Sequence, residues 1–261
     1  DWLGDPQGSR VFLLSGEPGC GKSAIAARLI QFSQGTVKAP EGCTPLAPLF
    51  LSAFHFCSAR ASLWTDPYTF TESLAVQLSR YPAFASELIA QAEQRDASDR
   101  RPLQVIHQRV GQVVDGGKVT GALNFIDNVS VSRYSARDVF VQAVRRPLEA
   151  LGRDASPPQV VILVDALDEA LAKAGETTIV SLLARTEALP ANVRLLLTTR
   201  VEERVKNQFA GSYGLVISAR RHRDSNQTDL GDYVSHRFNH DEGLTREVSK
   251  LAEEESRQAA I

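Results

Sequence analysis

The sequence predicts an α/β domain: a mostly parallel, five-stranded sheet with helices on both faces, forming a three-layer sandwich. Three observations predict it. Apolar runs of strand length alternate with segments of helical periodicity along the chain. One run, Val160–Val164, is five aliphatic residues without alternation, the pattern of a strand buried on both faces. The first run ends in a glycine-rich turn and leads directly into a helical pattern, the strand–turn–helix order of an α/β unit.

Taken in order, Arg10–Ser15 reads as a buried strand, and Lys22 to Phe32 as a helix with Ile25, Leu29 and Phe32 on its apolar face. Leu46–Cys57 reads as a second strand. Asp66-Pro67 opens a helix with Phe70, Leu74, Leu78 and Tyr81 on one side. After the polar stretch Gln94–Arg101, the spacing of Ile106, Val110 and Val113 predicts a third helix. Asp115-Gly116-Gly117 breaks it, and Lys118–Ile126 follows as an extra strand. Ser135 and Asp138 form a variant capping box for the next helix, which Pro147 is expected to kink or end. Glu176–Leu189 reads as a helix with Ile179, Leu182, Leu183 and Leu189 inward. Val193–Thr199 is a fourth central strand and Leu215–Ser218 a short fifth. From Asp229 the pattern turns polar and helical, so residues 1–220 are expected to form one domain and 221–261 the start of a C-terminal helical lid.

Composition narrows the function classes. An apolar fraction of 43% and a charged fraction of 23% suit a soluble globular core. The 29 basic and 31 acidic residues nearly cancel, to a net charge of −2, so no basic field advertises nucleic acid or an anionic membrane. Cys20, Cys43 and Cys57 are too few and scattered for a disulfide framework, which points to a reducing, cytoplasmic setting. No apolar run has transmembrane length, and the first residues lack the basic start and apolar stretch of a signal peptide. There is no methionine, so the chain is expected to be a segment of a longer one.

Gly16-Glu17-Pro18-Gly19-Cys20-Gly21-Lys22-Ser23 fits G-x-x-x-x-G-K-[ST], the phosphate-binding P-loop pattern, at every fixed position. Chance gives such a match in roughly one chain of this size in a hundred. The strand before it and the helix after it make chance a poor explanation. Glycines let the backbone turn its N–H groups onto phosphates, and the helix start adds partial positive charge. Lys22 is the candidate for the β- and γ-phosphates, and the Ser23 hydroxyl for magnesium. Gly16 through Ser23, with Ala24 after them, are the candidate contacts for a nucleoside triphosphate.

Val160–Val164 ends in Asp165, the second candidate magnesium ligand. Asp168 is the first candidate to take a proton from water, and Glu169 the second. A pair of acids also suits a helix start, but their place after a buried strand, in a chain with an intact loop, favours chemistry. Leu195–Thr199 leads to Arg200. If that strand lies between the loop strand and the Asp165 strand, its guanidinium can sense a γ-phosphate. A solvated arginine at a strand end is the plainer alternative.

Together, GEPGCGKSAIAARL, VVILVDALDEA and RLLLTTR resemble the NACHT-type nucleotide-binding domain of STAND signalling ATPases. The Asp165-x-x-Asp168-Glu169 spacing is similar to that family's acidic motif, and Phe54-His55-Phe56-Cys57 resembles its second strand. The likeness covers about Trp2 to Phe238, with Asp96–Tyr134 diverged. The resemblance implies a P-loop NTPase with five parallel core strands that binds ATP or ADP with Mg²⁺ and hydrolyses ATP slowly. It implies a switch inside a longer chain, partnered by an effector, a winged-helix domain and a repeat sensor, that oligomerises on activation. It also implies that the segment before the loop shelters the base, which would recruit Trp2. A motor of the AAA+ kind would want a glutamate directly after Asp165, where Ala166 stands. A small-molecule kinase and a nucleotide-binding scaffold without turnover are the remaining alternatives.

Other residues have ordinary explanations. His55 suits a hydrogen-bonded core position, Cys57 a core position, and Cys20 a loop position where only the backbone matters. Arg220-Arg221-His222-Arg223 suits a solvated loop.

Overall fold

The computed structural model describes residues 2–5, 8–38, 46–94, 103–115, 118–131, 135–172, 175, 177–185 and 188–217. Strand β1 (Val11–Gly16) turns into helix α1 (Lys22–Ser33). Strand β2 (Ala53–Phe56) is followed by a 3₁₀ turn (Ser62–Thr65) and helices α2 (Pro67–Leu78) and α3 (Pro82–Glu93). Strands β3 (Leu103–Asp115) and β4 (Lys118–Val131) pair with each other. Helix α4 (Ala136–Phe140), a π turn (Val141–Arg145) and helix α5 (Arg146–Leu151) lead to β5 (Val160–Asp165). A 3₁₀ turn (Glu169–Ala172) and α6 (Ile179–Leu183) precede β6 (Val193–Thr199), and α7 (Glu203–Lys206) precedes β7 (Tyr213–Ile217).

The main sheet has the order β2-β5-β6-β1-β7, and every pair in it is parallel. The carboxyl ends therefore finish along one edge, with Phe56 beside Asp165, Ser15 beside Thr199 and Gly16 beside Ile217. Parallel neighbours require crossovers, and these carry helices to the faces of the sheet. Every residue of β5 is buried. Val160, Ile162 and Val164 face a large core with α2 to α6, while Val161 and Leu163 face a smaller one with Ala26 and Ile30 of α1. The chain is thus α/β, with an all-parallel five-stranded sheet sandwiched between apolar cores. In the larger core Phe70 is fully buried, edge-on to His55 at 5.1 Å and stacked on Phe140 at 6.2 Å.

Several expectations are corrected. Residues 103–115 form a strand, not a helix. Its register on β4 shifts at Ile106/His107, Val110/Gln112 and Val113/Val114. Each shift breaks the two-residue alternation, so Ile106, Val110 and Val113 fall at helix-like spacing on a β ribbon. Strand β4 also runs on to Val131. Helix α3 has no counterpart among the expected elements; Pro82 sits in its first turn, and Phe84, Ala85, Leu88 and Ala92 are buried. Tyr81 belongs to the start of α3, and its hydroxyl meets Ser52 Oγ at 2.9 Å. Pro147 does not end the helical path: it sits in the first turn of α5, directly after a π turn that breaks the α-helical pattern. The expected strand at 46–57 shortens to four residues and the helix at 176–189 to five. The Ser135 cap forms, with Ser135 Oγ accepting from the Asp138 N–H at 3.1 Å.

Helix α1 is rotated from the face its hydrophobicity suggests. It buries Lys22, Ala26, Ile30 and Ser33, while Ile25 is 40% exposed. Small Ala26 lets the helix approach the sheet, and both buried polar residues have partners. Ser33 Oγ accepts from the Leu51 N–H, and Lys22 donates to loop carbonyls.

The chain divides into Asp1–Ile217 and Ser218–Ile261. Cys43, Arg220–Arg223 and the expected lid helices lie outside the described residues. Among the described residues no helix is long and apolar enough to cross a membrane.

The rotation of α1 is testable. Ile30→Ala is expected to cost about 2–4 kcal/mol in urea unfolding, and Ile25→Ala less than about 1 kcal/mol. Equal costs would return α1 to the face its hydrophobicity suggests.

Candidate functional site

Parallel pairing of the strands brings Gly16, Asp165 and Arg200 to the same edge, although they are far apart in sequence. The loop from Gly16 to Gly21 needs its glycines for two different reasons. Gly19 (φ 76°) and Gly21 (φ 90°) are left-handed, and a Cβ at either would meet nothing within 4 Å, so conformation alone selects glycine. Gly16 has no such φ; a side chain there would collide with the Ile217 carbonyl and with Cys20 Sγ. Cys20 is therefore more than a backbone position, since its buried thiol packs beneath the loop. Glu17, Pro18 and Gly19 are exposed along the outer side.

Gly21 is the N-cap of α1 and offers no side-chain cap. The N–H groups of Lys22, Ser23 and Ala24 precede the helix's own hydrogen bonding, so an anion is their natural partner. Lys22 is nearly buried, and its Nζ donates to the carbonyls of Gly16 and Glu17 at 2.9 Å each. Its charge thus lies under the loop. Ser23 is exposed at the helix start.

Asp165 closes β5 at 3% exposure. A carboxylate so buried needs a donor, and Thr198 Oγ1 supplies one at 2.5 Å from Oδ1. The same hydroxyl accepts from the Ala166 N–H at 2.9 Å, and the Thr198 carbonyl accepts from the Leu167 N–H at 2.8 Å. These bonds hold Ala166 at φ 53°, a left-handed conformation costing a non-glycine residue about 1–2 kcal/mol. The strained turn delivers Asp168 and Glu169 to Arg200.

β6 does lie between β1 and β5, the condition set for Arg200. Its guanidinium, however, is held by carboxylates: Nε is 3.3 Å from Asp168 Oδ2 and Nη2 is 3.4 Å from Glu169 Oε1. The Arg200 N–H also donates to Asp168 Oδ1 at 2.8 Å. Glu169 Oε2 accepts from the Ala59 N–H, in the turn after β2, at 2.8 Å. With the Arg200 side chain 56% exposed, these ion pairs are worth only about 0–1 kcal/mol each. They are exchangeable contacts.

Two further residues belong to this edge. Thr198 gave no signal beyond its place before an arginine, yet it holds both Asp165 and the strained turn. Thr199 is fully buried, and its Oγ1 lacks a hydrogen-bond partner. Cys57 lies against the cluster, its N–H donating to the Asp165 carbonyl. Burial, and then the carboxylates of Asp165, Asp168 and Glu169, push its thiol up to about 12, so it is inert as a nucleophile. Among the described residues no group of three acidic, histidine or cysteine side chains could hold a metal by itself. A magnesium ion held through Ser23 and Asp165 would take its other ligands from phosphate and water.

Trp2 is nowhere near the loop. It packs on Phe12 at the amino end of β1, under the Arg194 guanidinium, and its Nε1 donates to the Ser9 carbonyl. His55 is a core residue. The Trp64 carbonyl can only accept, so His55 Nε2 carries the proton in their 2.9 Å hydrogen bond.

Residues 1–126 match the family model described as nephrocystin 3, N-terminal. The matched span includes the loop and stops before Asp165, Asp168 and Arg200. No curated protein matches the chain.

Burial lowers the His55 pKa below its ordinary 6.5, and the bond to Trp64 offsets this only in part. As pH falls through 6.5, the unfolded chain binds a proton that the native ring still refuses, so stability drops with acidification. His55→Gln, whose amide can keep the bond to Trp64, is expected to lose less stability between neutral and acidic pH. Urea unfolding across pH checks this; equal losses would place the titration on other groups.

Proposed function

We propose that this chain is the nucleotide switch of a STAND signalling ATPase, a NACHT-like P-loop NTPase domain that binds ATP or ADP with Mg²⁺. The observation that carries the reading is the Gly16–Ser23 loop between β1 and the uncapped start of α1, with Asp165 on the same sheet edge two strands away. The residues fit the ligand. Left-handed glycines, unclaimed N–H groups and a lysine bound only to its own loop make a cradle for phosphate.

Each residue has a defined task under this reading. The main chain of Gly16, Glu17, Pro18, Gly19, Cys20 and Gly21 wraps the phosphates, and the N–H groups of Lys22, Ser23 and Ala24 extend the cradle. Lys22 exchanges two loop carbonyls for phosphate oxygens. Ser23 and Asp165 hold the metal ion, with Thr198 keeping Asp165 oriented. Bound MgATP supplies a phosphoanhydride and concentrated negative charge. Asp168 takes the proton from water, and Arg200 neutralises charge. Asp168 must first give up Arg200, which fits slow turnover.

The wider role follows from the same reading: a cytoplasmic signalling or defence protein in which effector, winged-helix and sensor domains of a longer chain respond to this domain, with homo-oligomers on activation. Ala166 in place of a glutamate argues against an AAA+ motor. A scaffold without turnover is the second reading, favoured by the engagement of Asp168 and Glu169 with Arg200.

Lys22→Ala is expected to abolish nucleotide binding in equilibrium dialysis; binding of normal strength would sink the proposal. Asp168→Asn should keep ATP binding and slow phosphate release by 10²-fold or more, roughly the contribution of a general base. An unchanged rate would remove Asp168 from the chemistry. ADP released in near-equal amount on denaturing the purified protein supports the switch.

A further inference from the structure

We infer that Glu169 is a positioning residue that ties the nucleotide state to the exposed turn at Leu63–Trp64, with Arg200 as the moving part; the inference rests on the proposed nucleotide site. Glu169 bridges two elements. Oε1 pairs with Arg200 at the end of β6, and Oε2 accepts from Ala59 in the turn after β2. Glu169 thus joins two elements, whereas both contacts of the Asp168 carboxylate are to Arg200 alone.

The turn it holds has few other ties. Its backbone is bonded within itself, from the Ala61 N–H to the Ser58 carbonyl and from the Trp64 N–H to the Ala61 carbonyl. At its flanks, Cys57 bonds to the Asp165 carbonyl and His55 to the Trp64 carbonyl. Between these anchors, Ala59 is fastened by Glu169. The segment then presents Leu63 at 65% and Trp64 at 51% exposure, two large apolar side chains facing solvent beside the Glu169–Ala172 turn.

Charge explains how a nucleotide would move it. A γ-phosphate is a stronger guanidinium acceptor than a carboxylate at 3.4 Å. Once Arg200 turns to phosphate, Asp168 and Glu169 lose the guanidinium they share. Glu169 is the more exposed of the two acids paired with Arg200, at 28% against 10% for Asp168, so it can swing to water and release Ala59. ADP has no γ-phosphate and leaves the bridge intact. The Leu63–Trp64 turn is thereby held without nucleotide or with ADP, and loosened with a triphosphate.

Trp2 and Trp64 are the two tryptophans of the chain, so a Trp2→Phe background isolates Trp64 as a fluorescent reporter. Acrylamide quenching is measured without nucleotide, with ADP and with Mg-ATPγS, while equilibrium dialysis records binding of each nucleotide. The expected result is stronger quenching with Mg-ATPγS than in the other two states, and loss of that difference in Glu169→Gln, whose neutral amide can keep the Ala59 bond whether or not Arg200 moves. Arg200→Ala should be loosened without nucleotide, a second route to the same relay. If both nucleotides bind and Trp64 quenches equally in all states, or if Glu169→Gln responds like the parent, the relay is overturned while the nucleotide site stands. If neither nucleotide binds, the proposed function falls and the relay with it.

Discussion

A carboxylate at the end of the most buried strand is the constraint around which this edge of the molecule is organised. A carboxyl as buried as that of Asp165 needs a hydrogen-bond donor, and the donor is a hydroxyl on the neighbouring strand. Thr198 therefore does two jobs, bonding the carboxylate and the backbone just beyond it. That second bond holds Ala166 in a conformation it would not choose, and the resulting turn sets Asp168 and Glu169 against Arg200. Losing the Thr198 hydroxyl would leave a buried charge unpaired and a strained residue unsupported at once.

The sheet makes that arrangement possible by burying both faces of β5. Its alternate residues divide between a large core, built on α2 to α6, and a small one under α1. The asymmetry has a consequence for the loop. Helix α1 contributes Ala26 and Ile30 to its core, with Lys22 and Ser33 buried by hydrogen bonding at either end. The helix that would receive an anion is thus held partly by polar contacts, one of which is the lysine that would change partners. The proposed switch draws on the same economy: exposed ion pairs on Arg200 are weak enough to be exchanged, whereas the Asp165–Thr198 bond is buried and stays.

Much of this was legible in the chain. The loop at Gly16–Ser23, the strand ending in Asp165 and the run ending in Arg200 are local patterns, and the strands they predicted are present with small shifts at their ends. The turn of β1 into α1 follows from glycine conformation and hydrophobic spacing, both properties of short segments. Where reading failed, the cause was non-local. The bulged β3 imitates helical spacing because register shifts depend on β4, a partner strand that no window contains. Helix α1 turned away from its apolar face because Ala26 and Ile30 pack against β5 and Ser33 bonds to Leu51, contacts that exist only once the sheet has formed. Trp2 was drawn to Phe12 and Arg194, which meet it only after β1 and β6 pair.

The sequence by itself determined the chemistry available: a glycine loop with one lysine and one serine, an aspartate after a buried strand, two further acids and an arginine. Composition and short-range pattern suffice for that, since each motif is complete within a few residues. Only the tertiary structure decided which of these groups face each other. Parallel pairing placed β6 between β1 and β5, gave Asp165 a threonine, and set both later acids on Arg200. Those choices depend on strand order and on which buried charges must be compensated, and neither is written in any local stretch of the chain.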